Sequence, residues 1–402
     1  MNKKHHLYSS MPMLGNHKTY AEIDLGALKY NYSVMRTLIS ESAQTICVLK
    51  ADAYGHGAKN CCRALLEEGC RYFAVSSIEE AIDIREVCLE YGADAEILIL
   101  GYTLPSQASL LAKHNIITSL VDAAYAHELA EQAQIAGVRV RCQIKLDTGM
   151  NRIGFCARNE AEIDKTVEEI SEIYRYTSLD VCGMFTHLAK ADEALDEGLP
   201  HLPTDTQVER FAATDKKLLA AGIDVKFRHV CNSAAAMRFP EYHFDACRLG
   251  ITLYGTHSSR FVDRYSLRPV MRLCTVISHV HDLIKGESVS YGGTYTADRE
   301  RTIATLPIGY ADGFVRAYSG AYVSVITEGG TVKAPVLGRI CMDQCMIDVT
   351  DSRARVGDKV VIFGGESAEL SALAKMANTI EYECLCLVTS RVPRIYVDCR
   401  GE

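Results

Sequence analysis

The chain has 402 residues, 48% of them hydrophobic and 23% charged, with a formal net charge of -8. That length suggests roughly two domains at the usual 100–200 residues each, and the composition can build a large globular core. The acidic balance excludes the broad basic surface that phosphate backbones demand, so no nucleic-acid partner is expected.

The start, MNKKHHLYSSMPMLGNHK, is basic but has no apolar stretch behind it, so residues 1–18 read as an N-terminal arm and not a secretory signal. The longest apolar runs, 97–100 and 218–223, fall far short of the roughly 20 residues that cross a bilayer, and no membrane partner is expected. Sixteen cysteines are scattered through the chain, many inside apolar strands, with no CxxC pair and no zinc-ribbon spacing. Reduced thiols serving as small core residues in a cytoplasmic protein are the expectation, with no metal.

From about 44 to 250, short β-branched runs alternate with stretches of helical periodicity. The predicted strands are 45–49, 72–75, 96–100, 116–120, 138–146, 179–185, 227–230 and 246–249. Amphipathic stretches at 58–68, 78–91, 123–136 and 160–174 lie between them. Eight strands over this length match an α/β architecture of the (β/α)8 TIM-barrel type, predicted over 19–267. A doubly wound open sheet is the alternative, but no GxGxxG follows the first strand. After about Arg268 the texture changes. Runs at 270–280, 302–307, 322–327 and 359–363 are parted by glycine-rich breaks, and helical periodicity returns only at 370–377. A mainly β C-terminal domain over 268–402 is predicted.

Lys50 stands at the end of the first of these strands, in Val48-Leu49-Lys50-Ala51-Asp52-Ala53-Tyr54-Gly55-His56-Gly57. In a barrel the C-terminal strand ends form the reactive face. A lysine desolvated there has a lowered pKa and a free amine suited to Schiff-base chemistry. Taken alone, such a lysine is more often a snorkelling side chain. The whole string, however, closely resembles the cofactor-lysine motif of the alanine racemase family, which uses pyridoxal 5'-phosphate. Further matches follow in order. Lys145-Leu146-Asp147-Thr148-Gly149-Met150-Asn151-Arg152-Ile153-Gly154 resembles the family's substrate-arginine motif, with Asn151 where glycine is common; both accept a left-handed backbone. Gly183-Met184-Phe185-Thr186-His187, Cys231-Asn232-Ser233-Ala234-Ala235 and Cys247-Arg248-Leu249-Gly250-Ile251 fall at later strand ends. Ser288-Val289-Ser290-Tyr291-Gly292, the Tyr310 motif and the Met342 motif complete a resemblance running from about Thr19 to Tyr396.

The resemblance implies a two-base amino-acid racemase that supplies D-alanine for peptidoglycan. It acts as a homodimer whose Tyr291 reaches the partner's site. Lys50 and Tyr291 are then catalytic. Lys50, Tyr54, His187, Asn232, Ser233, Arg248, Gly250 and Ile251 are expected at the cofactor, and Arg152, Tyr310 and Met342 at the substrate. Lys145 is the lysine that the family often carbamylates. An isolated tyrosine has a pKa near 10 and is a weak base at neutral pH, so nearby cations, including His187 backed by Arg248, are expected to assist Tyr291. A guanidinium at the pyridine nitrogen does not surrender its proton, which limits electron storage in the ring and favours rapid reprotonation at Cα.

The match departs at Ser390-Arg391-Val392-Pro393-Arg394, where the family has tyrosine first. A serine there leaves space beside the substrate side chain, and Ser390 is the candidate specificity residue. A serine or dual alanine/serine racemase is the alternative reading. A non-catalytic pyridoxal-phosphate carrier is disfavoured, because a carrier needs neither Tyr291 nor Met342. Decarboxylation on a related barrel is disfavoured by Arg248, since those enzymes place a carboxylate at the ring nitrogen.

Overall fold

Alternation of buried apolar strands with capped helices organises most of the chain in the computed structural model, which describes residues 17–193, 203–256, 266–365 and 369–399. The expected N-terminal arm lies, apart from its last two residues, outside the described residues. Two compact units divide the fold: Leu28–Ala53 with Ala58–Arg268, and Met1–Ala27 with Tyr54–Gly57 and Pro269–Glu402. The predicted barrel begins at residue 19, but the first strand, β1 (Thr19–Asp24), belongs to the second of these units.

The strands of the barrel unit are β2 (Gln44–Val48), β3 (Tyr72–Val75), β4 (Glu96–Ile99), β5 (Thr118–Leu120), β6 (Val140–Asp147), β7 (Leu179–Phe185), β8 (Arg228–His229) and β9 (Ala246–Leu249). They pair in parallel in the order β9-β2-β3-β4 and β5-β6-β7-β8. A parallel bridge between Leu98 and Ile117 joins the two sets on one side. On the other, Asp245 N–H donates to the Arg228 carbonyl and Arg248 N–H to that of Cys231, both at 3.0 Å. The ring therefore closes into an eight-stranded barrel, which removes every sheet edge. Strands buried on both faces explain the continuous apolar runs in the sequence; all four residues of β3 and of β9 are buried.

The helices begin where side-chain oxygens can take the first free N–H groups. Ser77 caps Ile78–Tyr91, Asp122 caps Ala123–Ile135 and Asn159 caps Glu160–Ile173, and Gly92 ends the first of these with φ 71°. The periodicity did not mark the 18-residue helix Pro203–Ala220. Its buried stripe includes Thr204, Gln207 and Thr214, so polar residues dilute the apolar signal.

The other unit carries a nine-stranded sheet among the described residues. Its strands after β1 are β10 (Met271–Val276), β11 (His279–Leu283), β12 (Arg301–Leu306), β13 (Tyr322–Thr327), β14 (Gly330–Leu337), β15 (Cys345–Asp348), β16 (Lys359–Phe363) and β17 (Arg394–Val397), in the order β11-β12-β15-β14-β13-β16-β10-β1-β17. The single run predicted at 270–280 is broken in two. Ile277 N–H donates to Asp358 O and Ser278 N–H to Thr305 O, so the chain changes pairing partner there.

Candidate active site

Lys50 stands two residues after the end of β2 and opens a helical turn, Lys50–Gly55, of the wrong hand for L-residues. Ala51, Asp52, Ala53 and Tyr54 have φ of 52°, 51°, 56° and 54°. Successive left-handed non-glycine residues cost about 1–2 kcal/mol each, so the surroundings must hold them. Glu80 Oε1 accepts the Ala51 N–H at 2.7 Å, Asp52 Oδ1 accepts the Ala58 N–H at 2.7 Å, and Ala53 N–H donates to Leu49 O at 2.8 Å. Strain of this kind concentrates at functional positions. The sequence indicated only a glycine-containing turn here.

Lys145 lies in β6, 3% exposed, and its Nζ donates to the Leu146 carbonyl at 2.6 Å. Burial first, and then the Arg248 and Arg152 charges, lower its pKa to about 7 against the opposing pull of Asp147. The loop after β6 is built on Asp147. Its Oδ1 accepts N–H groups of Gly149 and Asn151 at 3.0 Å, and its Oδ2 accepts that of Arg152 at 2.9 Å. Asn151 has φ 54°, the left-handed backbone the sequence reading allowed for it. At Gly154, φ 127°, an added Cβ would stand 2.6 Å from the Lys145 carbonyl, so only glycine lets the loop return against the strand.

His187 follows β7. Burial, and then Arg248, Arg152, Lys145 and Lys50, push its pKa well below the ordinary imidazole value. The same basic groups of the barrel unit thus act on His187, and the lowered pKa runs against its serving as a cation for Tyr291. Both effects favour the neutral imidazole, burial by withholding solvation from the charge and the neighbouring basic groups by repulsion. The sequence could not show that all four converge.

Arg248, in β9, is 3% exposed. Its Nη1 donates to His229 Nδ1 at 2.6 Å and to His229 O at 3.1 Å, and its Nη2 to Thr186 O and Val230 O, both at 2.8 Å. Its Nε–H has no protein acceptor among the described residues. Desolvation lowers its pKa to about 10, which still leaves the guanidinium charged at neutral pH. Beside it, Ser233 Oγ accepts the Gly250 N–H at 2.8 Å and the Thr252 hydroxyl at 3.2 Å. Asn232 caps the short helix Ser233–Arg238 through Ala235 N–H and donates to Leu188 O at 3.2 Å. Ile251 opens a 3-10 turn, Ile251–Tyr254. Ser233, Gly250 and Ile251 thus follow the last two barrel strands, where TIM barrels commonly bind phosphate.

The other unit gathers a second group. Tyr291, 72% exposed, lines an open groove with Ser290, Cys341, Met342, Asp343 and Gln344. Ser290, at φ 65°, donates through Oγ to Arg339 O at 2.5 Å and turns the chain into the Tyr291–Gly293 turn. Tyr310 N–H donates to Cys341 O at 3.1 Å, which brings its turn beside Met342. Ser390 is exposed between Thr389, whose hydroxyl donates to Ala311 O at 2.9 Å, and Arg391, which pairs with Asp343 at 2.9 Å. Tyr54 is buried with its ring edge-on to Tyr382, 6.2 Å between centroids.

Sequence reasoning missed Asp147, His229 and Gln207 as parts of the site. Gln207 Nε2 donates to His187 O at 3.1 Å and its Oε1 accepts the Ala189 N–H at 2.8 Å, which steadies the segment bearing His187. Asp147 was findable, since an aspartate opening a DTG turn is a strong acceptor for following N–H groups. His229 and Gln207 carry no such local signal.

Family models for the alanine racemase N-terminal domain and C-terminal domain match residues 23–258 and 270–396. A curated alanine racemase of Clostridium acetobutylicum is 41% identical over 384 residues, 94% of this chain and 95% of the relative. The solved alanine racemase of Clostridium difficile 630 superposes with a TM-score of 0.87 at 37% identity, covering 96% of this chain and 97% of that one. That of Bacillus anthracis, solved with bound L-Ala-P, gives 0.85 at 31% identity, covering 96% of each.

Proposed function

This chain belongs to the alanine racemase family and interconverts L-alanine and D-alanine, and from that premise we propose that Lys50 and Tyr291 are the acid–base groups serving opposite faces of the substrate Cα. The residues fit pyridoxal phosphate as cofactor: an amine at a barrel strand end, hydroxyl and N–H donors after the last two strands, and a buried guanidinium with one N–H uncommitted. When bound, that cofactor supplies an electron-withdrawing ring that acidifies the Cα–H of the amino acid.

Each side chain then has a defined task. Lys50 anchors the cofactor carbonyl and moves a proton at one face of Cα. Ser233, with the N–H groups of Gly250 and Ile251, holds the phosphate, and the capping of the adjoining helix by Asn232 keeps that loop in place. Arg248 would face the ring nitrogen and, because a guanidinium keeps its proton, would limit electron storage in the ring. Arg152 and the Met342 N–H bind the substrate carboxylate, Tyr310 walls the approach, and His187 and Tyr54 frame the cofactor. Lys145, whose pKa of about 7 leaves a substantial fraction of neutral amine near neutral pH, adds carbon dioxide to give a carbamate and a proton; the new negative charge holds Arg152. Tyr291 acts on the partner's substrate, a reading supported by its 72% exposure on the single chain. On this reading the enzyme is a cytoplasmic homodimer supplying D-alanine for peptidoglycan, and cysteines buried as small core residues suit a reducing compartment.

The observation that carries this reading is the buried Arg248 guanidinium, held by His229, Thr186 and Val230, beside the Ser233–Gly250 hydrogen bond after the last barrel strands. The test is Tyr291→Phe assayed in deuterated water. Racemisation should fall by about 10²–10⁴, the usual worth of a positioned acid–base group, while exchange of the Cα proton without inversion persists for one enantiomer. Undiminished racemisation would sink the assignment. A second reading, turnover of L-serine, is favoured by the exposed Ser390 beside the Tyr310 turn. An added hydroxyl in an open pocket is discriminated by only about 1–3 kcal/mol. If Ser390→Tyr leaves the serine-to-alanine ratio unchanged, that reading fails.

A further inference from the structure

A line of buried hydrogen bonds runs away from Arg248 through three side chains with no role in the reaction described above. Arg248 Nη1 donates to His229 Nδ1 at 2.6 Å. Since a guanidinium can only donate, Nδ1 must be the unprotonated ring nitrogen. His229 Nε2 lies 2.8 Å from Gln143 Oε1, and Gln143 Nε2 donates to the Tyr72 hydroxyl at 2.7 Å. An amide has one acceptor end and one donor end. With its donor end spent on Tyr72, Gln143 turns its oxygen to His229, and Nε2 must carry the proton.

The surroundings hold this line tightly. His229 is fully buried, stacked on Phe185 with centroids 4.9 Å apart and rings within 7° of parallel. Tyr72 stacks on Phe227 at 5.5 Å. A Cβ on Gly183 would come within 3.0 Å of Gln143 Nε2 and 2.8 Å of Phe227 O, so the glycine leaves room for the amide. Burial first, and then the basic groups Arg248 and Lys145, push the His229 pKa well down. Around Tyr72, at the far end, stand Cys182, Glu96 and Arg141.

We propose that Gln143 is a positioning residue that, held by Tyr72, fixes His229 as the uncharged Nε2–H tautomer, so that Nδ1 always accepts from Arg248 and the Arg248 Nε–H is presented in one direction. This rests on the reading of Arg248 as the partner of the cofactor ring nitrogen. The chemistry depends on an amide. A carboxylate at 143 would accept the same proton but stabilise the imidazolium, which would protonate Nδ1, remove the acceptor and set a positive charge against Arg248.

The test uses full-length holoenzyme labelled with 15N-histidine, the His229 signals being assigned by their loss in His229→Asn. The unmodified enzyme should show an unprotonated Nδ1 and a protonated Nε2, unchanged between about pH 5.5 and 9. In Gln143→Glu, His229 should titrate within that range. Retention of pyridoxal phosphate on dialysis should then weaken by about tenfold below the new titration point and recover above it, as expected when one charged hydrogen bond worth about 1.5 kcal/mol is lost. Tyr72→Phe, which frees the amide to flip, should populate the second tautomer, and it serves as the alternative should Gln143→Glu not fold. An Nδ1–H tautomer in the unmodified enzyme overturns the proposal. So does a folded Gln143→Glu enzyme with an unaltered His229 and unaltered cofactor retention. The tautomer is read without turnover, so failure of the Lys50 and Tyr291 assignments would leave this result standing.

Discussion

Asp147 holds Arg152 by the backbone: its Oδ2 accepts the Arg152 N–H at 2.9 Å while its Oδ1 accepts from Gly149 and Asn151. This anchors the Arg152 backbone, which on the proposed reading positions its guanidinium for the substrate carboxylate. Asp147→Ala removes three acceptor contacts at once. Each is worth about 1 kcal/mol or more, so KM for alanine should rise by at least about tenfold with a smaller change in kcat. Steady-state kinetics on the folded variant decide it, and an unchanged KM would separate Asp147 from substrate binding.

Lys145 gives a pH signature. Its folded-state pKa of about 7 lies below the ordinary lysine value of 10.5, chiefly through burial. Between these values the unfolded chain binds the additional proton, so the unmodified amine makes stability rise with pH from about 7 to 10.5, by on the order of a few kcal/mol in all. In buffer free of carbon dioxide, urea midpoints should climb through that window, and Lys145→Met should flatten the rise. Addition of 13C-bicarbonate near pH 7 should produce a carbamate resonance that the variant lacks, together with a gain in activity in the unmodified enzyme. Absence of that resonance would rule out carbamylation.

The left-handed turn after Lys50 makes a prediction of unusual sign. In a right-handed helix Ala→Gly costs about 1 kcal/mol. Ala51 is exposed at φ 52°, a conformation glycine adopts without penalty. Ala51→Gly should thus be neutral or stabilising by up to about 1 kcal/mol, whereas Ala51→Val should destabilise by about 2 kcal/mol through its branched Cβ. Thermal unfolding of both variants with cofactor bound distinguishes the cases; a clear loss of stability in Ala51→Gly would contradict a left-handed turn.

The β/α rhythm was readable because parallel strands buried on both faces leave unbroken apolar runs, and 72–75, 179–185 and 246–249 are observed with the predicted bounds. The helix Pro203–Ala220 was not, because Thr204, Gln207 and Thr214 occupy its buried face. The break at Ile277–Ser278 depends on partners at Asp358 and Thr305, far along the chain.

For the site, local sequence determined the chemical inventory: a lysine at a strand end, a second lysine and an arginine flanking a DTG turn, a serine and glycine after the last strands. These are short strings, and a string fixes its own turn. Charge state and orientation are set differently, by groups from several strands meeting in a low-dielectric interior. Burial and four neighbouring basic groups hold the His187 pKa down, Gln143 and Tyr72 choose the tautomer of His229, and four carbonyl and imidazole acceptors aim Arg248. Those partners are separated by up to 198 residues, from Lys50 to Arg248, and only closure of the barrel brings them together.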